Sequence, residues 1–514
     1  MRKFFKLKHF GTMLLLCLFF YQTKAQQKFI KTEAQLAEIN KLKIKVEANP
    51  SNLKAHEEFI DAFNSDDPNI ISVYQNWMKK YPKEFAVPFS IGRALVWREN
   101  PKATEFLSQA SILKPNSAEN WSLLASDAAL KGDHISQSNA SEKATKLEPK
   151  NPKYAFDYAY CFKDTDPEKY DSLSLEVARN FPNSEKAAQS LYWLAAKSNQ
   201  QLQKISYYKQ IQQLPNKTTS WYLDAMIEYF DLLLKTYPNQ AFDFGLQMRL
   251  QDKLFPELWH ERLAVAKTFL KARDLMNSNQ AEQALELLNQ VKLNNTMMAD
   301  RHINAKEYLA LFKAEAADAA NNTKIAFDTL VTLYSKQPTI NLQALIYKYG
   351  FKLGMDSTKI VQSIYDKRSV SAKQATSFSL INYLSDQKNS LSDYKGKVVL
   401  LTYWFPGCGP CREEFPHFEA VLKRFNKNDI AYLGLNDLPS QNDAVLPLLK
   451  KNGYSFTPLR DDKKRMKGNL SASSYPTNYL IDQKGRIVFS NFRIDADNEK
   501  TLELMIKETL AAKD

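Results

Sequence analysis

The sequence predicts a multidomain chain, an all-α solenoid followed by an α/β domain. Three observations carry this. Helix-breaking prolines recur at a fixed interval through the N-terminal part. The texture changes near Thr376 from helical periodicity to short strand-like runs. A Cys-Gly-Pro-Cys motif then follows a buried apolar run. A length of 514 residues is itself too great for one ordinary domain. A hydrophobic content of 44% and a charged fraction of 25% fit a packed globular protein.

The first residues read as an export signal, residues 1–25. A basic stretch from Arg2 to Lys8 precedes an apolar run from Met13 to Tyr21, and Thr23 and Ala25 have the spacing of a cleavage site. An uncleaved membrane anchor is the other reading of this segment, although the run is short for a bilayer span. Cys17 lies inside the run without the usual small neighbour of a lipoprotein cysteine. The expected location is therefore periplasmic or otherwise exported. Of the formal net charge of +13, the segment carries +5 and leaves +8 over the rest. No dense basic run with interleaved aromatics occurs, so a solvated basic surface is expected rather than a nucleic-acid partner.

The repeats come next. Pro50, Pro82, Pro115, Pro149, Pro182 and Pro215 are separated by 32, 33, 34, 33 and 33 residues. Each interval has room for two helices of about a dozen residues and their turns. In the best-formed unit, Trp121, Leu124 and Ala125 share a helix face. Gly132-Asp133 makes the turn, Ala144 lies on the second helix and Pro149 closes the unit. This unit resembles the tetratricopeptide pattern, except that Gln137 stands where a small residue is usual. Ala281–Leu288 and Ile325–Tyr334 resemble further second helices, so the array is expected over residues 26–370. Such an array exposes a concave surface. It either binds a peptide or protein partner or serves as a spacer or dimerisation surface, and both readings stay open. Cys161, in Tyr-Ala-Tyr-Cys-Phe, is expected as a small buried core residue.

The C-terminal part, residues 375–514, carries the chemistry. Phe378–Ile381 and Val398–Tyr403 read as strands. Trp404-Phe405-Pro406-Gly407-Cys408-Gly409-Pro410-Cys411 follows, then a helix with Phe415, Phe418, Val421, Leu422 and Phe425 on its apolar side. Two cysteines three apart on a first helical turn share a face and can form a disulfide. The helix N-terminus favours a Cys408 thiolate, the better nucleophile. Cys411 can then resolve a mixed disulfide. Gly409 and Pro410 keep the active-site link tight. A zinc site would need more ligands than this segment offers, with His417 the only nearby histidine. A structural disulfide closing so short a loop would stabilise little. No metal or cofactor is expected beyond the redox-active disulfide itself.

This segment resembles the TlpA/ResA-like branch of the thioredoxin fold, whose members are exported thiol–disulfide oxidoreductases. Phe378-Ser379-Leu380, the run from Leu391 to Phe418 and the run from Ser474 to Val488 carry the resemblance. It implies an α/β thioredoxin fold after the tetratricopeptide-like solenoid. It implies that Pro416 kinks the active-site helix. It implies a cis peptide before Pro476, which follows Cys411 by 65 residues, with Pro476 facing the disulfide. It further implies that the backbone of Tyr475 pairs with an extended substrate, with Trp404 also on the substrate side. Gly407 departs from the Trp common in the family. Thr402 stands where thioredoxin has a buried Asp, while alignment of Ile430–Asn436 with the next strand puts Asp437 in the place of an acid found in some members. Asp437 is either the proton acceptor for Cys411 or a loop Asp shaping a turn.

The expected activity is reduction of disulfides in exported partner proteins, with re-reduction by a membrane electron donor and a further protein partner on the repeats. A peroxidase of the related peroxiredoxin type would have Thr or Ser where Phe405 stands. An interaction scaffold with an accessory thioredoxin-like module is the alternative from another class, and the intact Cys408, Cys411 and Pro476 set weighs against it. There is no P-loop, no His-Glu-x-x-His and no dinucleotide-type glycine fingerprint.

Overall fold

The computed structural model describes residues 31–511 except 66, 253–254, 294–304, 462–464 and 497. The export signal read at residues 1–25, with Cys17, lies outside the described residues. Among those described, no helix is long and apolar enough to cross a membrane. The chain divides into two compact units between Leu147 and Glu148, whereas the sequence texture changes only near residue 370.

The first unit holds α1 (Glu33–Ala48), α2 (Leu53–Phe63), α3 (Asn69–Lys80), α4 (Ala86–Trp97), α5 (Ala103–Leu113), α6 (Ala118–Leu130) and α7 (His134–Leu147). Side chains of Thr32, Asn52 and Ser117 cap helix N-termini, each accepting from a backbone N–H of the first turn. Pro50, Pro82 and Pro115 fall between helices, so each proline interval holds a helix pair. Phe59, Tyr74, Trp77, Phe89 and Phe106 fill the core. Gly92 allows α4 to approach α5, since a Cβ there would lie 2.6 Å from Leu107 Cδ2. In the best-formed repeat, Gly132 adopts a left-handed φ of 66° between α6 and α7. Ala125 and Ala144 are buried as the pattern requires. Leu123, not Leu124, is the buried leucine. Trp121 is half-buried, its indole N–H donating to Pro115 O at 2.8 Å.

A buried histidine gives this unit a pH dependence. His56 is fully buried, with Nδ1 3.0 Å from the Tyr74 hydroxyl and Nε2 2.9 Å from Pro50 O. Burial pushes its pKa below the ordinary value of 6.5. The folded state therefore binds a proton less readily than the unfolded chain. Stability is fully present above pH about 6.5 and is lost as pH falls toward the folded-state pKa. Protection of α2 and α3 from hydrogen exchange, corrected for intrinsic rates, is expected to hold above about pH 6.5 and to fall as pH drops from there toward about 5. A His56→Gln variant should show a flatter profile. Equal slopes in the two proteins would remove His56 as the cause.

The second unit continues the helical pairs. They are α8 (Pro152–Tyr160) with α9 (Pro167–Asn180), α10 (Glu185–Lys197) with α11 (Gln201–Gln213), and α12 (Ser220–Thr236) with α13 (Pro238–Gln251). Then come α14 (Pro256–Asn277) with α15 (Ala281–Asn289), α16 (Ala305–Ala319) with α17 (Thr323–Tyr334), and α18 (Ile340–Lys352) with α19 (Ser357–Ser371). Cys161 follows α8, buried, with its thiol 3.2 Å from Asp157 O.

After Ser371 the same unit forms a sheet. Its elements are β1 (Lys373–Gln374), β2 (Ser379–Asn382), β3 (Lys388–Ser390), β4 (Val398–Trp404), α20 (Gly409–Leu422), β5 (Ile430–Asn436), α21 (Asn442–Asn452), β6 (Thr457–Arg460), β7 (Thr477–Ile481), β8 (Arg486–Ser490) and α22 (Glu499–Ala511). The strand order is β1-β8-β7-β4-β5-β6-β2-β3. β4 runs parallel to β5 and antiparallel to β7. Every residue of β4 is buried, as expected of a central strand covered on both faces. Val398, Leu400 and Trp404 join the core that includes Phe415 and Phe418 of α20, while Val399, Leu401 and Tyr403 join a second core with Leu433 and Tyr479. This is the expected multidomain combination of a helical array and an α/β thioredoxin-type domain.

Within the second unit, specific polar contacts tie the helices to the sheet. The Tyr334 hydroxyl and the Arg368 guanidinium both bond the Glu508 carboxylate of α22. The Arg368 guanidinium also lies 4.6 Å from the centroid of Phe489 in β8. No compositional signal marks these long-range partners, so the sequence break near 370 is not a break in packing.

Candidate active site

The redox pair sits where β4 hands the chain to α20. The apolar run of β4 ends at Trp404, and the Phe405–Gly407 loop crosses to the helix. Two bonds fix the loop. Gly407 N–H donates to Gln441 Oε1 at 2.7 Å, and Cys408 N–H donates to Phe405 O at 2.9 Å. Cys408 is the N-cap of α20, and its Sγ accepts the Cys411 N–H at 3.2 Å. The two cysteines are joined as a disulfide, with Cα atoms 5.3 Å apart. Cys408 keeps 4% exposure and Cys411 has none, so only Cys408 can meet a partner sulfur directly. An N-terminal helix dipole and a donated N–H both stabilise a thiolate at Cys408. Gly409 and Pro410 are exposed on the first turn. Pro416 lies within α20, which continues through it to Leu422, and its ring lacks the N–H that would bond Arg412 O.

Opposing elements bring in the second group of residues. The Tyr475–Pro476 bond is cis. Pro476 is buried, and the Tyr475 ring meets Phe405 edge-on at 5.1 Å between centroids. The Tyr475 hydroxyl donates to Asp437 Oδ1 at 2.5 Å, and Tyr475 O accepts from Arg493 Nη2 at 3.3 Å. Burial, reinforced by the Asp437 hydrogen bond, pushes the Tyr475 pKa up, so the phenol stays a donor. Asp437 is itself buried and also receives Lys467 Nζ at 2.7 Å. The structure thus links Asp437 to the loop before Pro476.

Trp404 requires a correction. The resemblance placed it on the substrate side, but it has no exposure. Its indole packs edge-on against Phe415 at 5.3 Å and Phe456 at 5.1 Å. As the last residue of β4, on the face toward α20, it is a core residue supporting the active-site loop.

Two acidic neighbours escaped the sequence reading. Glu414 lies three residues after Cys411, one turn along the same helix face. It is buried, accepts Asn478 Nδ2 at 2.7 Å and Ile494 N–H at 3.2 Å, and lies 3.6 Å from Arg493 Nη1. The available signal was a Glu on the apolar side of an otherwise amphipathic helix. Glu413 beside it is bound by the helical array, with Tyr160 OH donating at 2.9 Å and Lys163 Nζ at 2.5 Å. The turn after α8 therefore rests on the first turns of the active-site helix. Among the described residues no group of three or more His, Cys, Asp or Glu is arranged to hold a metal ion. His417 pairs with Glu499 at 2.9 Å.

Comparisons with known proteins fall on this domain. The AhpC/TSA family model matches residues 372–490. The thioredoxin-like protein YneN of Bacillus subtilis is 34% identical over 143 residues, 27% of this chain and 82% of that protein. The thiol-disulfide oxidoreductase ResA of Bacillus subtilis is 28% identical over 122 residues, 24% of this chain and 68% of that protein. The match to ResA of Bacillus thuringiensis spans 66% of its length and 23% of this chain. Among solved structures, the thioredoxin domain of a thiol-disulfide oxidoreductase from Bacteroides vulgatus aligns over 27% of this chain and 96% of its own, at 22% identity and a TM-score of 0.24. Each of these matches spans only about a quarter of this chain. By its C-terminal domain, the chain belongs to the thioredoxin-like thiol–disulfide oxidoreductases.

Proposed function

We propose that the protein is an exported reductase of disulfides in partner proteins, and that its tetratricopeptide-like helical array binds a protein partner. The observation that carries the catalytic part is the asymmetry of the pair. Cys408 caps a helix N-terminus and keeps some exposure, while Cys411 is fully buried behind it.

The Cys408 thiolate attacks one sulfur of a substrate disulfide. A mixed disulfide forms, and the other substrate sulfur leaves as a thiolate that takes up a proton. The Cys411 thiol gives its proton to a carboxylate and attacks Cys408 Sγ. The second substrate thiolate leaves, two electrons have passed to the substrate, and Cys408–Cys411 is oxidised. Asp437 is the proposed acceptor, acting in a network with Tyr475. Glu414, buried one turn from Cys411, is the second carboxylate suited to the task. The Tyr475 backbone beside cis Pro476 holds an extended substrate segment. A dithiol donor, proposed to be a membrane electron carrier, returns two electrons to the pair. The contact of Tyr160 and Lys163 with Glu413 supports a role for the array beside the redox helix.

The direction of catalysis is tested by the equilibrium reduction potential of Cys408–Cys411 in graded dithiol buffers, read by alkylation and mass spectrometry. The Gly-Pro link matches that of thioredoxin, so a value near about −270 mV is expected. A value near about −120 mV, that of a strong periplasmic oxidant, would reverse the direction.

A further inference from the structure

A crevice of about 890 Å³ separates the last part of the helical array from the edge of the sheet. One wall is Lys306 of α16 and the turn from Ser335 to Thr339. The other is β8 and the chain after it, as far as Arg493 and Asp495. None of these groups belongs to the Cys408–Cys411 loop.

The β8 wall has an unusual feature. On its inner side β8 pairs with β7 through Ser490. On its outer side β1 pairs only with Arg486 and Ile487. The chain preceding β1 is helix α19, which ends at Ser371, so no described strand covers Val488, Phe489 and Ser490 on that side. A free strand edge presents backbone N–H and C=O groups that another extended chain can pair with. Here that edge lines a crevice rather than open solvent.

Charge selects the occupant. Lys306, Lys336, Lys373 and Arg493 line the crevice, against Asp495 as the lone acid among the described lining residues. The three lysines are exposed and pair with no carboxylate among the described residues. Arg493, which lines the crevice, donates to Tyr475 O at 3.3 Å and so ties this wall to the carbonyl that precedes cis Pro476.

We propose that an extended, carboxylate-bearing segment of the protein substrate docks here as an added strand on β8, its acidic side chains facing Lys336 and Lys373. This rests on the reading that the substrate is a protein disulfide. The crevice then selects which proteins present a disulfide to Cys408. The rival role for lysines at a free edge is to repel other strands.

Fluorescence anisotropy of the full-length chain with a labelled, cysteine-free peptide of alternating Glu and Val tests this. Saturable binding is expected. Lys336→Glu combined with Lys373→Glu should weaken it at least about tenfold. Lys423→Glu with Lys427→Glu, elsewhere on the surface, should leave it unchanged. Methylating alternate backbone amides of the peptide should also weaken it about tenfold, because strand addition uses those N–H groups. Absence of saturable binding, equal binding of the methylated peptide, or equal loss in both lysine pairs would each overturn the inference. The probe has no cysteine, so the outcome is independent of catalysis. Lost binding with intact disulfide turnover overturns only the crevice. Binding without turnover overturns only the catalytic reading.

Discussion

Replacing Cys408 by serine is expected to lower disulfide turnover by about 10³-fold or more, at least ~4 kcal/mol of barrier. The hydroxyl of serine is a far weaker nucleophile than a thiolate held at a helix N-terminus. Cys411 cannot substitute, because it has no exposure. Cys411→Ser should differ in kind. Its Cys408 still attacks, so a single exchange proceeds and the mixed disulfide then accumulates unresolved. A single-turnover assay with an aromatic disulfide separates the two variants, since release of the first thiol is expected from Cys411→Ser and not from Cys408→Ser. Full release from Cys408→Ser would mean that another thiol is the nucleophile.

The largest stability effect is expected in the helical array, at Asp231. Its carboxylate receives Arg262 Nε at 3.1 Å and Nη2 at 2.9 Å, between α12 and α14. Both side chains are essentially without exposure. Asp231→Ala would take both of these charge-assisted bonds from a guanidinium buried in the core, a loss of about 3–5 kcal/mol. Hydrogen exchange in residues 220–277 should accelerate accordingly. Replacing both partners, Asp231→Leu with Arg262→Met, should recover most of the loss, because the buried charge is then gone. A double variant as unstable as the single one would show that packing around the pair, rather than charge, sets the cost.

The parts of the molecule that were legible in sequence are those fixed by local chemistry. The proline spacing marks helix pairs because proline lacks the N–H that a helix interior needs, and each interval from Pro50 to Pro215 does hold two helices. The continuous apolar run Val398–Tyr403 reads as a central strand because both of its faces are covered. Cys408 and Cys411 are near in space because one helical turn makes them so. The residues that were missed or misplaced depend on distant partners. Glu414 lies on the apolar side of α20, and its partners Asn478 and Ile494 come from far along the chain. Trp404 looks like a platform beside the cysteines, and Phe415 of α20 together with Phe456, from beyond α21, encloses it in the core. Glu413 is held by Tyr160 and Lys163, some 250 residues earlier in the chain. Asp437 was singled out from its place after β5, but its bonds to Tyr475 and Lys467 come from a later loop.

The central claim is that Cys408 is the attacking sulfur and Cys411 the resolving one. The most direct measurement is the intact mass and peptide map of the reduced Cys411→Ser chain after mixing with oxidised insulin. One whole insulin molecule is expected on each Cys411→Ser molecule, bound through Cys408, its second interchain disulfide still holding both chains, and released by dithiol. Attachment through Cys161, or no attachment while the unmodified chain still reduces insulin, would contradict the claim.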